Sequence, residues 1–344
     1  MEYIKEININ EAVIHVLDNN ADEPILNKFQ LELNDEIYLF LMKHIQKALG
    51  REDLRYATFN DKESWNFANE VSQNYLNGEC NLLEASTNIA TTMFEVIKSN
   101  ENITSCDLLI VSISTEFGVM LGILKLDYVK NYKHSIDFIN NEIGINIVQE
   151  QTGLPSGTKL QKCAFIKPER IENEFDLMII DEISRNEVEY GAEWFTKNFL
   201  GCSIIENERD STKQLLDATE RFVRNNYKED ADRAEKVRNA VKETVLKNES
   251  IKLNELAENL FTFHSEEKES FKQDLKSQGI QEDVKVDIEF AQKKLAKHKI
   301  KVDKDIEINI SDEAYSDKSK FEVVKNGDGS INMVIKNILN YVER

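Results

Sequence analysis

Two segments carry residue types that would matter most for chemistry: Gly153 to Lys159 (GLPSGTK), to be compared with a phosphate-binding loop, and Leu177 to Glu182 (LMIIDE), with an apolar strand ending in magnesium-holding carboxylates. Their spacing refuses both comparisons. A P-loop needs four residues between its glycines and then Lys directly, so that successive backbone N–H groups wrap the phosphates. Here three residues separate Gly153 from Gly157, and Thr158 precedes Lys159. The segment is read as a loop between strands, and Asp181 and Glu182 as ordinary strand-end carboxylates. Asp176, Asp181, Glu182 and Lys167 lie near one another but form no spacing that two-metal chemistry would need. The histidines (His15, His44, His134, His264, His298) are scattered, and none stands in an activation pattern with a cysteine or serine. Cys80, Cys106, Cys163 and Cys202 form no C-x-x-C pair and read as reduced thiols. No enzyme, cofactor or metal site is expected from these residues.

The basic residues are more informative. Between 230 and 247, Asp232 with Lys236 and Glu243 with Lys247 are acidic-to-basic pairs four residues apart, the pattern of a self-satisfied solvated helix face. The run 293 to 304 (KKLAKHKIKVDK) differs, because Lys293, Lys294, Lys297, Lys299, Lys301 and Lys304 face only Asp303. Uncompensated lysines exchange counterions for phosphate, so Lys293, Lys294, Lys297, Lys299 and Lys301 are the candidate DNA-binding residues, with a solvated surface as the competing reading. On a continuous helix, Lys293, Lys294, Lys297 and Lys301 would fall within reach of one face, where acidic residues could dock instead of DNA. The net charge of −20 does not contradict this, because it is uneven. Residues 1 to 150 hold 24 acidic and 11 basic side chains, whereas 209 to 344 hold 28 and 26, so polyanion contacts are sought in the second region.

The elements that must position these residues follow from periodicity. A strand over Ala12 to Leu17 and a second from Ile25 to Leu33 form the expected opening hairpin. Asn34 or Asp35 then caps a helix in which Ile37, Leu41, Ile45 and Leu49 recur every four residues, stopped by Gly50. Helices follow at about 63 to 77 and 81 to 98. From Cys106 to Glu182 consecutive apolar runs without intervening helices predict an antiparallel sheet. Leu108 to Leu126 approaches membrane-spanning length, but Glu116, Gly118 and Gly122 make it two strands joined by a turn. The N-terminus, MEYIKEININ, lacks a basic region followed by an apolar one, so no signal peptide is expected. Helical stripes resume at 192 to 200, 210 to 227, 230 to 247, 253 to 260 and 265 to 277. The tail ends in short strands joined by Asn326-Gly327-Asp328-Gly329, a hairpin turn. The predicted fold is α+β: an antiparallel β-rich N-terminal half (1–188) packed on a helical region (189–300), with a small C-terminal β unit (301–344).

Three segments also resemble one family. INEAVIHVLD (Ile9 to Asp18), WFTKNFLGCS (Trp194 to Ser203) and KVRNAVKETV (Lys236 to Val245) occur in the order seen in the bacterial nucleoid-associated proteins of the NdpA-like or YejK-like group, and the closing β segment fits as well. The resemblance implies a cytoplasmic, nucleoid-localised protein without known catalysis that binds double-stranded DNA and is linked to type II topoisomerases. It carries no DNA-contacting residues over to this chain. Nothing in the sequence matches a helix-turn-helix, zinc-finger or RNA-recognition signature, so backbone contacts with little base readout are expected. A different class stays open: the acidic N-terminal region as a protein-interaction surface, or an imitation of DNA, acting on a topoisomerase or nuclease. A homo-oligomer is compatible with either.

Overall fold

Continuous apolar runs within 106–127 and 162–181, buried on both faces, build the sheet that organises the first part of the molecule. The computed structural model describes residues 2–60, 66–100, 102–139, 142–152, 154, 160–182, 193–302 and 305–340. These divide into two units, residues 2–205 and residues 206–344. The first contains, in order, β1 (Ile7–Leu17), α1 (Asp35–Leu49), β2 (Arg55–Phe59), α2 (Phe67–Leu76), α3 (Leu82–Lys98), β3 (Cys106–Thr115), β4 (Gly118–Asp127), β5 (Val129–Ile139), β6 (Glu142–Thr152), β7 (Lys162–Ile166), β8 (Leu177–Asp181), a π-helical turn (Trp194–Leu200) and β9 (Cys202–Ile205). Seven strands form one sheet in the order β1-β3-β4-β7-β8-β2-β9, every neighbouring pair antiparallel. The fold is α+β, as the run of strands without crossover helices predicts.

Cap chemistry sets the helices. The Asn34 side chain accepts from the backbone N–H of Ile37 at the start of α1, and Gly50 closes it; Asn81 does the same for Glu84 at the start of α3. Along α3, Leu82, Ala85, Ile89, Met93 and Ile97 form an apolar stripe buried against the sheet face that carries Val13, Ile110, Ile123, Ala164 and Ile179. On the opposite face Gly122 is required: a Cβ there would stand 2.7 Å from Val111 Cγ2 and 3.2 Å from the Phe165 ring. The π-helical turn, predicted to open the helical half, instead buries Trp194, Phe195, Phe199 and Leu200 in this first core. It ends on Gly201 in the left-handed region, whose carbonyl accepts from Asn66 Nδ2 at 3.0 Å.

The expected second strand at 25–33 is not formed. Pro24 supplies no N–H, and Asn27 bends the chain by accepting from Phe29 N, so the ladder is reduced to a single bridge, Val16 with Ile25, while separate bonds from Asn27 N to His15 Nδ1, Gln30 Nε2 to Glu11 Oε1 and Leu31 N to Ala12 O tie the segment to β1.

The second unit is helical with small strands: α4 (Glu208–Asn226), α5 (Ala231–Lys247), β10 (Ser250–Lys252), α6 (Leu253–Leu260), α7 (Ser265–Ser277), β11 (Asp283–Lys285), α8 (Ile288–Leu295), β12 (Lys297–Val302), β13 (Ile306–Ser311), α9 (Asp312–Ser316), β14 (Phe321–Lys325) and β15 (Ile331–Ile335). The α5 stripe Ala234, Val237, Val241, Val245 is buried as its spacing predicts, beside a cluster of Phe222, Phe261 and Phe271. The Asn-Gly-Asp-Gly turn joins β14 to β15 with Gly327 and Gly329 at positive φ, and the Gly329 carbonyl accepts from Ala231 N at the start of α5.

Candidate nucleic-acid interface

Strand alternation, not helical spacing, arranges the lysine run. The helix α8 stops at Leu295, and Lys297–Val302 (KHKIKV) pairs antiparallel with β13, so the one-helix-face arrangement of Lys293, Lys294, Lys297 and Lys301 does not arise. The reason lies in the composition: His298, Ile300 and Val302 alternate with lysine, and β-branched residues at every second position favour a strand with one anchored face. That face is half-buried, while Lys297, Lys299 and Lys301 stand exposed on the other. Successive lysines there are roughly 7 Å apart, two strand residues, comparable to neighbouring phosphates along one nucleic-acid strand.

The anchored face is held by aromatic and polar contacts within the same unit. His298 stacks on Tyr315 with ring centroids 4.0 Å apart, and its Nε2 lies 2.8 Å from Asp312 Oδ1. Tyr315 packs against Phe321 and donates its hydroxyl to Glu235 on α5 at 3.0 Å. Burial, then the Glu235 charge, pushes the Tyr315 phenol well above its usual range, so it remains a donor at neutral pH. Lys242 of α5 approaches His298 Nδ1 at 3.5 Å, and its ammonium is held below the usual lysine range by burial first and by Arg238 second.

Of the five candidate lysines, the structure brings three together and leaves two on α8. Lys299 pairs across the hairpin with Asn309, Lys297 with Ser311 and Lys301 with Glu307, whose carboxylate is 3.7 Å from Lys301 Nζ. Among the described residues, neither Lys297 nor Lys299 has a carboxylate within ion-pair distance. Lys293 pairs with Glu289 at 2.8 Å, and Lys293 and Lys294 both sit in the last turn of α8, where cations complement the helix dipole. Proximity in space therefore adds two acids, Glu289 and Glu307, that the charge balance of the run alone does not include. Lys304 and Asp303 lie outside the described residues. On α5, Lys236 meets Asp232 at 3.0 Å and Lys247 meets Glu243 at 3.2 Å, the self-paired face read from the sequence.

The carboxylates weighed as metal ligands are all engaged inside the first unit. Asp181 Oδ1 accepts from Lys162 Nζ at 2.7 Å, and its Oδ2 accepts from the Thr196 N–H at 3.2 Å. Lys125, also buried, neighbours Lys162 across β4 and β7 and pairs with Asp127; the Trp194 ring centroid is 5.3 Å from the Lys162 ammonium. Glu182 pairs with Arg51 at 2.9 Å, Asp176 accepts from Phe59 N at 2.9 Å, and Lys167 pairs with Glu2 at 2.9 Å. Such a rung of buried charges needs every member satisfied, and the strand register supplies the partners. Among the described residues no three His, Cys, Asp or Glu side chains converge as a metal-ligand set. The segment 153–159 has only Leu154 among the described residues, so the loop reading of GLPSGTK lies outside them. The cysteines are free; burial raises the thiols of Cys106, Cys163 and Cys202 to about 12, which leaves them protonated and unreactive.

Comparison with known families decides the relationship: the family model described as nucleoid-associated protein YejK matches residues 13–343. The chain belongs to the YejK nucleoid-associated protein family. That match spans both units, from β1 to the last residues after β15, and includes the lysine hairpin. No curated protein matches the chain. No helix among the described residues is long and apolar enough to cross a membrane.

Proposed function

We propose that this member of the YejK family binds double-stranded DNA through the outward face of β12, with Lys297 and Lys299 as the principal phosphate contacts and Lys301 as a weaker one. The observation that carries this is the alternation of three exposed lysines on a strand whose other face is anchored by His298, Ile300 and Val302. A strand presenting ammonium groups at phosphate spacing neutralises the backbone without reading base edges, giving affinity with little sequence preference and a steep dependence on salt. Lys293 and Lys294 extend the positive surface along α8 but contribute less, Lys293 because Glu289 already holds it. The protein acts without catalysis and resides in the cytoplasm at the nucleoid; a type II topoisomerase is the protein partner that the family resemblance implies. Lysine on an exposed hairpin also keeps that hairpin soluble, and titration of duplex DNA at two salt concentrations separates the two uses.

A second reading rests on the acidic side chains of residues 1 to 150, where 24 acids outnumber 11 bases. That region would then recognise a basic surface on a topoisomerase or nuclease, as a partner or as an imitation of DNA. A pull-down from cell extract in the absence of DNA tests it.

A further inference from the structure

The hairpin of β5 and β6 stands apart from the seven-stranded sheet as a separate two-stranded sheet, inserted between β4 and β7, which are neighbours within the larger one. Its register pairs Tyr132 with Gln149, His134 with Ile147, Ile136 with Ile145 and Phe138 with Ile143. Antiparallel partners share a face, so these eight residues form one side of the hairpin. Tyr132, Ile136, Phe138, Ile143, Ile145 and Ile147 on it are between 55% and 79% exposed. The other side is polar: Asn146 Nδ2 donates to Asp137 Oδ2 at 3.0 Å, with Ser135 and Lys133 beside them. Six of the eight residues are large and apolar, with His134 and Gln149 the polar ones among them, and all six are exposed.

We propose that this face is the dimer interface of the protein, docking on the same face of a second copy. Three observations select a second copy over another occupant. A two-stranded hairpin is marginal in water and gains independent stability only when a further layer covers its apolar side, so the cover must be constantly present. The face carries no Asp or Glu, and the one charged residue in its register is Lys130 at the far end, paired with Gln151, so two copies of a chain with net charge −20 meet there without opposing carboxylates, whereas a basic partner would find no carboxylate to read. The six large side chains, with roughly 100 to 200 Å² outside the protein apiece, offer on the order of 800 Å², the share that each partner contributes to a standard interface. A two-fold axis through the Ile136–Ile145 pair sets these two residues against their own counterparts and brings Phe138 and Ile143 of one hairpin over His134 and Ile147 of the other, an isologous contact. The proposal is independent of DNA binding.

Light scattering on the full-length chain after gel filtration, at about 50 µM and thus above the micromolar dissociation constants of the weaker interfaces of this size, tests it. The wild type is expected at twice its 39.8 kDa mass, and an Ile136→Asp, Ile145→Asp variant at 39.8 kDa with its circular dichroism unchanged. A Lys133→Glu variant on the polar side stays dimeric. Ile145→Cys cross-links into a covalent dimer on mild oxidation, beyond any seen for the wild type, and Lys133→Cys does not, which keeps the proposal testable if the double variant misfolds. A monomeric wild type overturns the proposal and assigns the face to a different protein. A dimer that survives the double substitution, or that cross-links through position 133 and not 145, places the interface elsewhere and overturns it equally.

Discussion

Replacing Lys297 and Lys299 by glutamine removes the two hairpin ammonium groups that no carboxylate among the described residues holds, while leaving the stacked His298 and Tyr315 beneath them intact. Each phosphate contact contributes about 0.9 to the slope of log K against log salt, so loss of two flattens the slope by about 1.8. At about 0.15 M salt the same relation makes each contact worth roughly fivefold in affinity, and the pair about 30-fold; at about 0.05 M the loss grows to about 200-fold. Lys236→Gln with Lys247→Gln on α5 is the matched control, because both lysines are already paired four residues away and release few counterions. The assay is fluorescence anisotropy of a labelled duplex over a salt series, with circular dichroism confirming that both variants fold. An unchanged slope and affinity in the Lys297, Lys299 variant, or an equal loss in the α5 variant, would refute the reasoning. In the first case the interface lies elsewhere; in the second, binding follows bulk charge and not the geometry of the hairpin.

Other consequences concern the first unit. Breaking the Lys162–Asp181 pair from either side, with Lys162→Met or Asp181→Leu, is expected to destabilise by about 3 to 5 kcal/mol, since the remaining charge is left buried. The double variant should cost several kcal/mol less than the sum of the two singles in urea denaturation; additive losses would show that the two groups do not act as a pair. Burial lowers the His15 imidazole from 6.5 to about 4, and its Nδ1 accepts from Asn27 N, so it is neutral in the folded protein. Because the unfolded chain binds the extra proton between those two values, the His15 contribution is complete at neutral pH and is lost as pH falls. By pH 5 the loss is about 2 kcal/mol, and a His15→Gln variant should show a correspondingly smaller drop in stability from pH 7 to pH 5 than the wild type. Gly122→Ala places a methyl into the Val111 and Phe165 side chains and should cost about 1 to 3 kcal/mol, read as a lower thermal midpoint; an unaltered midpoint would mean the strands can part there without penalty.

How far these features were legible in the chain depended on how locally they were determined. Asn34, Gly50 and the Ala234–Val245 stripe announce α1 and α5 because capping and helical periodicity act within a few residues. The same holds for the Asn-Gly-Asp-Gly turn. The strand β2 carries no such signal: its five residues, Arg55–Phe59, are strand because β8 and β9, more than a hundred residues away, supply both neighbours. The segment 25–33 shows the reverse, an apolar run that Pro24 and Asn27 keep out of the ladder. At the candidate interface the lysines are readable as a charge run, and the alternation in Lys297–Val302 is present in the letters, but lysine at every second place obscures it as a strand. What no local reading supplies is which acids come alongside: Glu307 reaches Lys301 only through hairpin register, and Asp181 reaches Lys162 only through the pairing of β7 with β8.

The proposed function is the holding of duplex DNA by its backbone phosphates. Its most direct test is titration of the wild-type chain against two unrelated duplexes of equal length at about 0.05 M and about 0.2 M salt. Three phosphate contacts predict that the affinities for the two sequences agree closely and that both fall by about 40-fold over this range. Absence of binding at the lower salt, or an affinity that ignores salt or strongly favours one duplex, would contradict the account.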